Sequence, residues 1–165
     1  MKGPLCKEPG VTGINMGYNM NLDRVVTGDI ENRHEVDLVL AKDRLFNDGK
    51  WAMPGGWCEY NTTIMENTVK EAREEAGLVV EPVRLVAAHS NRKHNNPKSF
   101  FYITRFFVLC NVTGGEFKPN EETTDARYFD VDSLPSDLND HKSSPEQIRL
   151  CLEALRAKSW EPVID

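Results

Sequence analysis

No stretch of this 165-residue chain is apolar for long enough to cross a membrane as a helix, and no apolar run near residue 1 resembles a secretory signal. Cysteine is scarce and scattered: Cys6, Cys58, Cys110 and Cys151 form no C-x-x-C pair, which argues against a zinc finger and a disulfide framework. We therefore expect reduced thiols and a cytoplasmic protein. Basic excess is missing too, since 26 acidic residues outnumber 20 basic ones and leave a net charge of −6. A general nucleic-acid binder would need a basic face. A nucleotide ligand remains compatible, because bound cations mask local negative potential. Internal repeats and low-complexity tracts are absent. What remains is 39% apolar content, ordinary for one compact domain of this length.

Residues 1–20 hold four glycines and two prolines with little periodicity and read as a loose N-terminal arm, leaving 21–165 as the single domain. Strand-like segments follow at Arg24–Thr27 and Val36–Ala41, then a turn at Asn47-Asp48-Gly49. Val79–Ala88 and Phe100–Cys110 are rich in β-branched or aromatic residues, Asn111–Gly115 reads as a turn, and Ala126–Val131 as a final short strand. The chain closes on a helix. Ser144-Pro145-Glu146-Gln147 supplies its N-cap, an N1 proline and a capping-box glutamine, and Ile148, Cys151, Leu152 and Leu155 form its apolar stripe.

The most informative segment runs from Gly56 to Leu78. Thr63 and Glu66 form a capping box, and Gly77 followed by Leu78 reads as a left-handed helix stop. At about 100° per residue, Met65, Val69, Ala72 and Ala76 form the expected core face. Glu71, Glu74 and Glu75 occupy the next sector, with Lys70 and Arg73 on the far flank. The spacing i, i+3, i+4 stacks the three acids on one face. They stand at the negative end of the helix dipole, so they repel each other and oppose the field. A divalent cation is the simplest remedy.

This segment resembles the Nudix box, G-x5-E-x7-R-E-U-x-E-E-x-G-U, where U is bulky and apolar. Gly56, Glu71, Glu74, Glu75, Gly77 and Leu78 match, a coincidence on the order of one in a million at a given start. The approach Trp51–Trp57, including Gly55 and Gly56, is similar as well. Thr62, Lys70 and Ala72 depart from the pattern at the first glutamate, the arginine and the apolar U. In the family that glutamate and arginine commonly lie near each other, and Glu59 is placed to substitute in part.

The resemblance implies an α/β (α+β) fold, a Nudix-type α/β/α sandwich with a mixed central β-sheet. It extends over about residues 36–165 to the bacterial ADP-ribose or CDP-alcohol pyrophosphatase-like subgroup, through Gly114–Phe117, Glu121–Phe129 and Leu134-Pro135. Members of that subgroup commonly carry a further N-terminal region, which reads as absent or shortened here. The implied activity is hydrolysis of the pyrophosphate bond in a nucleoside diphosphate linked to another group, with Mg²⁺ or Mn²⁺ as cofactor. By resemblance Glu74 and Glu75 are the principal metal ligands, helped by the Gly55 or Gly56 carbonyl, and Glu71 is a further ligand or orients the water. Glu122 is the candidate distal base, with Glu121 and Asp125 as competitors. Arg92, with Lys93 and His94, is a candidate phosphate or ribose contact, and Trp57 or Phe101 a candidate base platform. The histidines at 34, 89, 94 and 141 show no metal spacing. A homodimer is the implied assembly. Two alternatives stand beside this reading: a sanitising nucleoside triphosphate pyrophosphohydrolase, and a nucleotide-sensing domain without turnover.

Overall fold

The computed structural model describes residues 20–27, 37–43, 49–95, 102–130 and 133–165. Residues 1–19 of the expected N-terminal arm, Phe101 and His34 lie outside the described residues, as do Val36, Asn47, Asp48, Phe100 and Val131, while Met20 begins the first strand. Among the described residues the elements are β1 Met20–Thr27, β2 Asp37–Asp43, β3 Trp51–Ala52, α1 Ile64–Ala76, β4 Leu78–Ser90, α2 Asn91–His94, β5 Ile103–Gly115, β6 Thr123–Asp130, α3 Pro145–Arg156 and β7 Val163–Ile164.

The strands make two sheets. One is mixed, in the order β1-β5-β4-β7, and the other is antiparallel, in the order β3-β2-β6. β1 runs parallel to β5, with Met20 opposite Ile103 and Thr27 opposite Cys110. β5 is the hinge of the architecture because its side chains alternate between two helices, as a period of two requires. Phe107 and Leu109 join Leu40, Met53, Ile148, Cys151, Leu152 and Leu155 in a core beneath α3. Val108 and Cys110 face the other way, onto Ala72, Ala76, Leu78 and Val80 beneath α1. Helices thus cover both faces, and the expected α/β/α sandwich is present.

Both helix starts are capped as the sequence indicates. Thr63 and Glu66 exchange a capping box at α1, and Ser144 and Gln147 do so at α3, with Pro145 in its first turn. At the far end of α3, the Arg84 guanidinium donates to the carbonyls of Ala154 and Ala157 at 2.9 and 3.0 Å. No helix among the described residues is long and apolar enough to cross a membrane.

Three expectations need correction. Met65 is 38% exposed rather than core, and the buried residues of α1 are Asn67, Thr68, Glu71, Ala72 and Ala76. In the first turn Ile64, not Met65, packs toward the core beneath α1, and the buried Asn67 and Thr68 add polar groups to the inner face. The predicted turn at Asn111–Gly115 is the end of β5. Leu78 and Val79 pair with Gly115 and Gly114, so a 13-residue β4 draws its partner onward through locally turn-prone sequence. β6 is not the last strand either, since β7 adds to the edge of β4 through Ala87 and Ala88.

The long β4–β5 ladder is possible because two glycines meet where β5 passes the end of α1. Gly77 ends the helix at φ 68° with its N–H donating to Arg73 and Ala72 carbonyls, and Gly115 sits at φ 100°. A Cβ on Gly115 would collide with the Gly77 carbonyl and lie 2.8 Å from Leu78 Cα, whereas one on Gly114 would meet nothing within 4 Å. Gly115→Ala should therefore destabilise by roughly 2–4 kcal/mol, from strained backbone plus overlap. Gly114→Ala should stay within about 0.5 kcal/mol. Urea denaturation of the pair checks this, and equal losses would contradict the account.

Candidate active site

β3 leads into the buried loop Met53-Pro54-Gly55, and this loop lies against the last two turns of α1. The Gly55 N–H donates to Glu75 Oε2 at 2.9 Å. At Gly56 an added Cβ would stand 2.5 Å from Glu71 Oε2 and 2.8 Å from Oε1, so only glycine lets the backbone rest on that carboxylate. The sequence at 55 and 56 is thus explained by contact with the acids 15 to 20 residues later.

One ammonium gathers the rest. Lys70 Nζ lies 2.6 Å from Glu74, 3.3 Å from Glu59 and 3.4 Å from Glu71. This corrects the expectation that Lys70 stands on the far flank: residues 70 and 74 are i, i+4 and share a face, and a long flexible stem does the remainder. Glu59 is held from two sides, its N–H donating to Asn67 Oδ1 at 3.3 Å and its carboxylate meeting Lys70. Thr62, at the position of the family's first glutamate, donates its hydroxyl to the Glu59 carbonyl at 2.8 Å. The altered positions 62 and 70 therefore both contact Glu59, through its carbonyl and its carboxylate respectively.

The electrostatics follow from burial. Glu71 is only 6% exposed, and burial lifts its carboxyl from 4.5 to about 7. Lys70 opposes that rise, while the charges of Glu75 and Glu74 add to it. The hydrogen bond to Glu74 holds the Lys70 ammonium above its usual range. The site thus remains short of positive charge even with a lysine in its midst.

Among the described residues no three histidine, cysteine or acidic side chains converge as a ready-made metal cage. Lys70 lies between the carboxylates, and Glu75 is turned to the Gly55 amide. The donors nevertheless suit a hard divalent cation. They are all oxygens, the carboxylates of Glu71 and Glu75 against the glycine loop and that of Glu74 on Lys70, and Glu71 is buried with its charge poorly offset.

The remaining sequence candidates are more dispersed. Glu121 and Glu122 are exposed on the loop before β6, which is tied to α1 by Asn120 Nδ2 donating to the Glu74 carbonyl at 2.7 Å. Asp125 is paired with Arg127. Trp57 is 48% exposed next to Gly56, on the rim of the acidic site. Arg92 stacks on Tyr102 at 4.0 Å, while Lys93 and His94 reach Asp165 at 3.5 and 2.7 Å. His89 is buried and stacked on His94 at 3.9 Å, and burial lowers its pKa. Cys110 and Cys151 are buried free thiols, one in each core, and Cys58 is half-buried. Sequence reasoning passed over Asn67 and Asn120. Asn120 carries a signal, since asparagine before Glu-Glu-Thr suits a side-chain-closed turn.

A raised carboxyl pKa makes stability depend on pH with a definite sign. Between about 4.5 and 7 the folded protein holds a proton on Glu71 that the unfolded chain releases, so stability is lost as pH rises through this window. In metal-free buffer the protein should be more stable at pH 5 than at pH 8, by up to about 3 kcal/mol from this group. Glu71→Gln should flatten that dependence. Chemical denaturation at several pH values with a chelator present measures it, and an unchanged slope in the variant would refute the assignment.

Comparison with known proteins gives a consistent result. The sequence profile of the NUDIX domain matches residues 23–151. YjhB of Bacillus subtilis (strain 168), provisionally named an ADP-ribose pyrophosphatase, is 32% identical over 140 residues, which is 85% of this chain and 65% of its own length. The ADP-ribose pyrophosphatase of Methanocaldococcus jannaschii is 31% identical over 117 residues, 71% of this chain and 67% of that protein. The chain thus spans about two thirds of the length of these curated relatives. A crystal structure described as an ADP-ribose pyrophosphatase from Streptococcus suis 89-1591 superposes with a TM-score of 0.76 at 40% identity, over 88% of this chain and 98% of that one.

Proposed function

This chain belongs to the Nudix family, and from that membership we propose that it hydrolyses the pyrophosphate bond of a nucleoside diphosphate linked to another group, ADP-ribose or CDP-choline in type, with Mg²⁺ or Mn²⁺. The observation that carries this reading is the meeting of Glu71 and Glu75 with the Gly55–Gly56 loop, with Glu74 joined to Glu71 through Lys70, in a chain 40% identical to the Streptococcus suis structure.

Glu74, Glu75 and the Gly56 carbonyl, or that of Gly55, are the groups that would hold the cation, with Glu71 as further ligand or as orienter of the water. Bound there, it would supply charge withdrawal from the pyrophosphate oxygens and acidify water. The protein's own part is positioning and proton transfer. Lys70 offsets the acids while no cation is present. Glu122 accepts the proton of the attacking water. Trp57, exposed beside the glycines, offers an aromatic face for a base, and Arg92 a guanidinium for a phosphate. The water oxygen forms a bond to one phosphorus, the bridging P–O bond breaks, and two phosphate monoesters leave.

A substrate panel with Mg²⁺ and Mn²⁺ tests the reading. ADP-ribose or CDP-choline should give two monophosphates. Release of pyrophosphate from nucleoside triphosphates would instead favour the sanitising enzyme, and calorimetric binding with no turnover in either metal would favour a sensor. Glu75→Gln removes a charge at nearly constant shape and should lower kcat by at least about 100-fold with the fold intact; full activity in that variant would overturn the ligand assignment. The reading extends to a cytoplasmic homodimer, and light scattering that shows only monomer would remove that element.

A further inference from the structure

Asn120 stands at the junction of the two segments on which the proposed reaction depends. Its Oδ1 accepts from the backbone N–H of Glu122 at 2.9 Å, from that of Thr123 at 2.8 Å, and from the Thr123 hydroxyl at 3.0 Å. Its Nδ2 donates the other way, to the Glu74 main-chain carbonyl at 2.7 Å. The Asn120 N–H closes the turn on the Thr123 carbonyl at 3.0 Å. The amide orientation is set by its neighbours. Backbone N–H groups only donate and carbonyls only accept, so the oxygen must face the loop and the nitrogen the helix. Thr123, 2% exposed, begins β6, so the sheet fixes one end of the turn and the helix the other.

We infer that Asn120 is a positioning residue for hydrolysis. It couples the loop bearing Glu122 to the helix bearing Glu71, Glu74 and Glu75, and thereby sets where the Glu122 carboxylate stands. The inference rests on the reading above, in which Glu122 takes the proton. The geometry also sets Glu122 apart from Asp125. Asn120 holds its N–H directly, whereas Asp125 is committed to Arg127. Two residues of chain reach at most about 7 Å, so Glu122 cannot drift far from the anchor at Glu74. Asparagine is required because the role needs an acceptor and a donor on one short side chain. Aspartate would keep the three loop contacts and lose the tether to the helix, and alanine would lose both.

Steady-state kinetics on ADP-ribose with Mg²⁺ test this, using the parent protein, Asn120→Ala, Asn120→Asp, Glu122→Gln and the Asn120→Ala/Glu122→Gln double variant. Loss of the base should lower kcat about 100-fold. Asn120→Ala should lower kcat about 10-fold at unchanged KM, as expected for a misplaced group. Added to Glu122→Gln it should cost less than about twofold more, because nothing is left to position. Asn120→Asp should share the loss while keeping the turn, and it carries the comparison if the alanine variant is unstable. A full multiplicative loss in the double variant, or parental kcat in both Asn120 variants, would overturn the inference. Parental activity in Glu122→Gln would instead overturn the assignment of the base, and absence of any hydrolysis by the parent would overturn the function.

Discussion

Three carboxylates share the last two turns of one helix, at its negative end, and much of the surrounding structure offsets their repulsion. Coulomb repulsion between neighbouring acids grows as water is excluded, and Glu71 is nearly excluded from water. Its carboxyl therefore stays far from the usual carboxylate range despite a lysine at 3.4 Å. The Gly55 amide takes up part of the charge of Glu75, and Lys70 takes up part of three others. An apolar face alone would not produce this arrangement. It leaves the buried carboxylate with its charge incompletely offset.

The fold supplies rigidity where the repulsion is greatest. α1 is pinned at its start by a reciprocal capping box and at its end by Gly77, and its inner face rests through Ala72 and Ala76 on Val80, Val108 and Cys110. Small alanines bring the helix close to the sheet, and the acids one residue away in sequence are carried along. The Met53–Gly55 loop is buried from the other side. Two rigid pieces, one helical and one extended, therefore meet at the carboxylates. A site assembled in this way keeps its geometry better than one assembled from loops alone.

Departures from the family pattern are coordinated. Thr62 and Lys70 replace a glutamate and an arginine, and both now contact Glu59, which Asn67 also holds through its backbone. An acid three positions before Thr62 meets Lys70 at 3.3 Å. Such a swap keeps a neutralised pair beside Glu71 and Glu74 while changing every residue in it. The departures are therefore weak grounds for reading the chain as a non-catalytic binder.

The sequence alone determined the helix caps, the alternating strands, the left-handed stop at Gly77 and the acidic cluster, because each is written in spacing within one turn or one strand. From these the sandwich and the core candidates Ile148, Cys151, Leu152 and Leu155 were legible. Only the tertiary structure decided which distant segment rests on each face. It carried β5 through Asn111–Gly115, since pairing with Leu78–Val80 outweighed local turn preference. It exposed Met65, buried Asn67 and brought Lys70 among the acids. It tied Asn120 to a carbonyl 46 residues away. Periodicity fixes the face a residue shares with its neighbours, but contacts between remote segments depend on how whole elements pack.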